Sequence, residues 1–206
     1  MKKYLPLWPY AMASFLYYGF IGCFISYLAV YLASKGFDSI EIGAVFAIYT
    51  IARVLFGQIV AHLSDLKQDH LSFYRLGLIG TMAFLIFCLF LPNNYWFLFV
   101  IVLSLSCFMS VVSQLELLCL DVVNSDIKLY NRVRFFGSLG FVICAILMGK
   151  LLDVFSSVVV VYFGLIVLLA GYFTSNKMVN SQSSNEDKSS LTDFLNKCIS
   201  PLFISE

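Results

Sequence analysis

Six long apolar runs, separated by short polar breaks, divide most of this chain. They cover residues 7 to 32, 40 to 63, 73 to 91, 95 to 123, about 129 to 152, and 158 to 174. Each is near the ~20 residues that a helix needs to cross a hydrocarbon core of about 30 Å, so the pattern predicts six transmembrane helices. A spanning strand would alternate apolar and polar residues over segments of ~10, whereas Val158 to Ala170 is apolar almost throughout. The first run is too long for a cleavable signal peptide and is followed by five more. The fold class expected is therefore an all-α polytopic membrane protein.

Composition excludes a soluble domain. The chain is 61% hydrophobic and 12% charged, with a mean hydropathy of +0.90, against about 25% charged residues in soluble domains. Basic residues favour cytoplasmic loops, and Lys2, Lys3, Lys67, Arg75, Lys128, Arg132, Lys177, Lys188 and Lys197 all fall on one side. Only Lys35 and Lys150 fall on the other. Both termini are thus expected in the cytoplasm, with the chain in the cell inner (plasma) membrane. The net charge of +1 and the lack of a basic run give no sign of nucleic acid.

The polar residues inside the runs fall on stripes. At ~100° per residue, Ala11, Ser14, Tyr18, Gly22 and Ser26 share one face of the first helix, and Gly43, Ala47, Thr50, Gly57 and Ala61 one face of the second. Both faces are expected inside the bundle, the second through close packing of small residues. Ser106, Ser110, Ser113, Gln114 and Asp121 form a denser stripe on the fourth, too polar for packing alone.

Three charges lie deep in the runs. Glu116 and Arg134 stand 18 positions apart, reflected across the turn at Asn124, Ser125 and Asp126. Nine residues at ~1.5 Å rise place each about 13 Å into the layer on facing helices, where an acid and a base would meet. Arg53 is near the middle of the second helix, with no acidic partner evident in sequence. Ionisable groups at such depth cost roughly 2.5 to 3.5 kcal/mol each on insertion scales and mark substrate or ion pathways. One positive charge is left over, and an anionic substrate group would balance it.

Other chemistry is scarce. Cys23, Cys88, Cys107, Cys119, Cys144 and Cys198 are scattered and read as small hydrophobes. His62 and His70 flank one loop without further ligands at metal spacing, so no metal and no cofactor are expected, and both read as surface histidines. Gly137-Ser138-Leu139-Gly140 offers a serine but no histidine base nearby. Small residues for helix packing explain it better, and no enzymatic activity is expected.

The loops carry a resemblance. Ala61-His62-Leu63-Ser64-Asp65-Leu66-Lys67 resembles the major facilitator signature of Gly, three residues, Asp, then a basic cluster, with Ala61 in the first glycine position and Gln68 in the second. Tyr130-Asn131-Arg132-Val133-Arg134-Phe135-Phe136-Gly137-Ser138-Leu139-Gly140-Phe141 is similar to the start of the fifth helix in the lactose permease and phenylpropionate transporter branch. That branch also places an acid 18 residues before the second Arg. Ile42-Gly43 with Ala52-Arg53 resembles the phenylpropionate transporters more than the sugar permeases. The resemblance implies substrate contacts at Glu116, Arg134, Arg53, Tyr18 and Phe141, where sugar permeases carry Trp instead of Phe, and conformational gating at Asp65 and Arg132.

It also implies twelve helices in two halves, each of two inverted three-helix repeats, with substrate bound between the halves. Residues 1–177 correspond to the N-terminal half alone. A faint echo of Ala61 to Asp65 at Gly149-Lys150-Leu151-Leu152-Asp153 fits the repeat. Residues 178–190 read as a polar cytoplasmic linker, too poor in apolar residues to fold. Residues 191–206 read as an amphipathic segment at the start of the second half, with Ser190 and Asp193 as a capping box. The function expected is proton-coupled symport of a small organic substrate, an aromatic carboxylate such as 3-phenylpropionate. A sugar or nucleoside symporter is the alternative, and a non-transporting fragment or assembly module that needs a partner half is another. The partners expected are substrate, proton, lipid bilayer and a second six-helix half that carries the proton-coupling residues.

Overall fold

The computed structural model describes residues 7–123 and 126–179. Among them there is no strand, and six helical elements follow one another: α1 (Trp8–Ser34), α2 (Ser39–Lys67), α3 (His70–Phe90), α4 (Tyr95–Val122), α5 (Ile127–Val154) and α6 (Val159–Ser175). The first five are long and apolar enough to cross a membrane, and α6, at 17 residues, reaches the short end of the spanning range. The expected runs and these helices agree within a few residues. Asn124, Ser125 and the segment 180–206, with its expected linker, capping box and amphipathic helix, lie outside the described residues.

Short polar residues set the helix starts. The carboxylate of Asp38 accepts from the Glu41 amide at 2.7 Å while Glu41 accepts from the Asp38 amide at 3.0 Å, a capping box at the head of α2. Asp69, Asn94 and Asp126 accept first-turn amides of α3, α4 and α5 in the same way. These side chains satisfy amides that a helix cannot pair internally, so each connection stays short and successive helices run antiparallel. At the other end of α2, Gln68 adopts φ 51, in the left-handed region. The resemblance puts a glycine at that position, and the backbone geometry is the reason.

The pairing of helices obeys an exchange of the two halves of the bundle. α1 packs on α5 and α4 on α2; α3 packs on α4 and α6 on α1; α3 and α6 touch each other. Swapping α1 with α4, α2 with α5 and α3 with α6 maps this set onto itself. Burial repeats likewise. Leu71, Tyr74, Leu78, Thr81 and Leu85 are buried on α3, and so are Val161, Gly164, Leu168, Gly171 and Ser175, each 90 positions on. Val45, Tyr49 and Ala52 on α2 match Val133, Gly137 and Gly140 on α5 at an offset of 88, the offset that also relates Asp65 to Asp153. Two inverted three-helix repeats therefore build this bundle.

With no hydrophobic force to drive helices together in lipid, contact depends on close backbone approach. The α1–α5 seam achieves it with glycines. A Cβ on Gly140 would lie 2.2 Å from the Phe15 carbonyl oxygen, one on Gly22 2.4 Å from that of Phe141, and one on Gly137 2.5 Å from the Tyr18 ring. Gly22 lies in a wide π turn, Ile21–Ile25, closed by the Ser26 amide donating to the Ile21 carbonyl at 3.1 Å. Where α1 crosses α4, Phe108 stacks on Tyr17 at 4.7 Å and lies 4.4 Å from Phe20.

The small-residue face of α2 departs from expectation. A Cβ added to Gly43 or Gly57 would meet nothing within 4 Å, and Ala47 and Thr50 are exposed. Among the described residues no helix covers that face, because α4 packs on the opposite one through Val45, Tyr49 and Ala52.

Candidate functional site

Three of the expected substrate residues meet in one cleft. Tyr18 on α1, Glu116 on α4 and Arg134 on α5 line it together with Ser14, Cys119 and Tyr130. Within it the Ser14 hydroxyl lies 3.9 Å from the Cys119 sulfur. Reflection across the turn predicts one depth for Glu116 and Arg134, and the cleft brings them together. They do not form the expected ion pair: among the described residues no contact within 4.0 Å joins them, and both side chains are exposed. Tyr18 lines the same cleft, its ring edge-on to Tyr17 at 5.2 Å.

Arg53 occupies the other flank. Its charge acts on Tyr17 of α1 and Tyr49 of α2, and the Tyr49 hydroxyl donates to the Met109 sulfur on α4 at 3.4 Å. Phe141 is the repeat-related counterpart of Arg53, 88 positions on, and both are exposed. A cation on α2 and an aromatic on α5 thus hold equivalent places at either side of the α1–α4 crossing. Arg53, Glu116 and Arg134 make no hydrogen bond or ion pair among the described residues. The cleft itself is small, about 20 Å³, room for about one water. It can present charges to a ligand but cannot enclose one.

Other expectations are corrected. Ser106, Ser110 and Gln114, expected to be too polar for packing alone, are buried within the bundle. Ser106 donates to the Val102 carbonyl and Ser110 to that of Cys107, both at 2.7 Å, while Ser104 reaches α3 through the Thr81 carbonyl at 3.1 Å. Hydroxyls on a helix can satisfy themselves on the preceding turn, which makes a serine stripe compatible with tight packing. His70 is not a surface histidine. It is 6% exposed, its Nδ1 lies 3.0 Å from the Gln114 Oε1, and its Nε2 lies 4.0 Å from Asp65. His62 is exposed.

The two residues expected to gate, Asp65 and Arg132, are set apart on different helices. Asp65 sits in the last turn of α2 beside His70, whereas Arg132 lies on the flank of α5 away from Arg134, against Trp8, Met12 and Phe136. Tyr130, Tyr17 and the His70–Gln114 pair were not singled out by the sequence. Tyr130 was within reach, because it precedes Arg134 by four residues and so shares its face. Gln114 and His70 are 44 positions apart, and no periodicity announces their contact.

A family model described as the MFS_1 like family matches residues 7–200. Comparison with curated proteins and with solved structures returns no significant match.

Proposed function

The chain belongs to the MFS_1 like family and is a multi-pass membrane protein of the transporter class, and on that premise we propose that it is the N-terminal half of a proton-coupled symporter for a small organic anion. An aromatic carboxylate of the 3-phenylpropionate kind is the substrate class that best fits its charges. The observation that carries the reading is the set of three intramembrane charges, Arg53, Glu116 and Arg134, exposed on one face without hydrogen-bonded partners among the described residues. Groups left so in a membrane are costly unless they face water, a ligand or another protein surface. Two cations against one acid leave a site for a carboxylate.

In this mechanism Arg134 and Arg53 hold the carboxylate from α5 and α2, and Glu116 orients Arg134 across the cleft. Tyr18 and Phe141 supply aromatic surface to the rest of the substrate. The substrate lies between this bundle and a second six-helix half, which the small size of the cleft favours. Alternating access then rocks one half against the other, with Asp65 at the gating end and both termini in the cytoplasm of a cell whose inner membrane holds the protein.

The test is ligand binding in the transporter assembled with its second half. Arg53→Gln should weaken an aromatic carboxylate by about tenfold or more, as expected for a charge-assisted bond of about 1.5 to 3 kcal/mol, and leave its neutral amide analogue unchanged. Equal losses for both ligands would remove the anion assignment.

A further inference from the structure

A second, larger groove opens on the outer flank of the α1–α5 seam. It measures about 380 Å³, and its lining is apolar except for one guanidinium, that of Arg132. On α1 its walls include Trp8 and Met12, and at ~100° per residue Trp8 falls on the arc that meets α5 (Phe15, Gly19, Gly22) while Met12 falls at the edge of that arc, on the side of the arc that meets α6 (Phe20, Phe24). The arc facing Glu116 is elsewhere, at Ser14 and Tyr18. The groove therefore faces away from the substrate cleft, toward the bilayer. Trp8 is the first residue of α1 and Arg132 the sixth of α5, about 8 Å along its axis, so the cation sits near headgroup depth with the apolar walls running inward. A second cation guards the mouth, with the Lys177 ammonium 4.7 Å from the Trp8 ring centre.

The inverted repeat supplies a contrast. A groove of about 310 Å³ lies between α2 and α4 at the opposite side of the membrane, lined by the repeat-related residues: Tyr95 and Phe99 for Trp8 and Met12, Ile48 for Phe136. There Ala44 stands in the place of Arg132 and Glu41 in that of Leu129. The shape is common to both; the positive charge belongs to one.

We propose that the α1–α5 groove binds one anionic phospholipid, an acyl chain lying along Met12 and Phe136 and the phosphate held by Arg132 and Lys177. Tryptophan at the interface and long basic side chains reaching for the headgroup layer suit that occupant.

The experiment is lipid retention by the full chain, purified from nanodiscs of phosphatidylglycerol or phosphatidylcholine and weighed intact by native mass spectrometry. One phosphatidylglycerol should be retained at least fivefold over phosphatidylcholine. Arg132→Gln and Lys177→Gln should each lower retention about fivefold, the effect of about one basic residue at a charged surface, and Arg132→Lys should keep most of it. Phe99→Trp, which fills the α2–α4 groove, should change nothing. Equal retention of the two lipids, or indifference to both Gln variants, overturns the site. So does retention that rises only on deletion of residues 180–206, since the chain's own tail would then be the occupant.

Discussion

Glu116 and Arg134 show how much depends on a few ångströms. A buried pair broken on one side costs about 3 to 5 kcal/mol, but these two line an open cleft without touching, and exposed charges couple by at most about 1 kcal/mol. In a double-mutant cycle of thermal unfolding, Glu116→Gln and Arg134→Gln should therefore couple by less than about 1 kcal/mol. Carboxylate binding should be lost in Arg134→Gln and not recovered in the double variant; recovery there would reduce both residues to a structural role. Gln68 offers a separate test of a single residue. Its φ of 51 costs a side-chain-bearing residue roughly 1 kcal/mol relative to glycine, so Gln68→Gly should raise stability by up to about 1 kcal/mol. A lower melting temperature in detergent would mean that the Gln68 side chain holds the α2–α3 turn.

Among the helices, the α1–α5 seam and the open face of α2 are opposites built from the same residue type. Gly140 leaves no room for a methyl group against the Phe15 backbone, whereas Gly43 faces open space. Gly140→Ala should cost about 1 to 3 kcal/mol through overpacking. Gly43→Ala should be neutral or slightly stabilising in the chain alone, since Ala is the better helix former by up to about 1 kcal/mol. Chemical unfolding in mixed micelles would separate them, and equal effects would mean that the seam can yield. If a second half covers α2 as proposed, Gly43→Ala should instead disturb assembly with that half.

For the bundle as a whole the consequential feature is concavity without enclosure. The inverted repeats set α2 and α5 on either side of the α1–α4 crossing, and the cleft between α1, α4 and α5 holds about one water. A substrate needs another wall, and so do three charges that find no partner among the described residues. The chain reconstituted alone in proteoliposomes should thus show no concentrative uptake of an aromatic carboxylate under a proton gradient. Robust uptake that persists at dilutions where chains do not associate would show instead that this half works unaided.

The membrane fold and the number and ends of the helices were legible along the chain, because span length and hydropathy are properties of a segment meeting a slab of fixed thickness. Gly137 and Gly140 could be read there as packing residues, and Gln68 as an oddity. Azimuth could not, because which side of a helix meets a neighbour is settled only when the helices pack. Rotation about a helix axis depends on which glycine meets which backbone and which aromatic fills which gap. For that reason Ser106, Ser110 and Gln114 of the α4 stripe, expected to be too polar for packing alone, are buried in the bundle with Ser104 bonded to α3, and the small face of α2, expected in the interior, lies open. His70 finds Gln114, and Arg132 turns away from Arg134 into the groove lined by Trp8 and Met12.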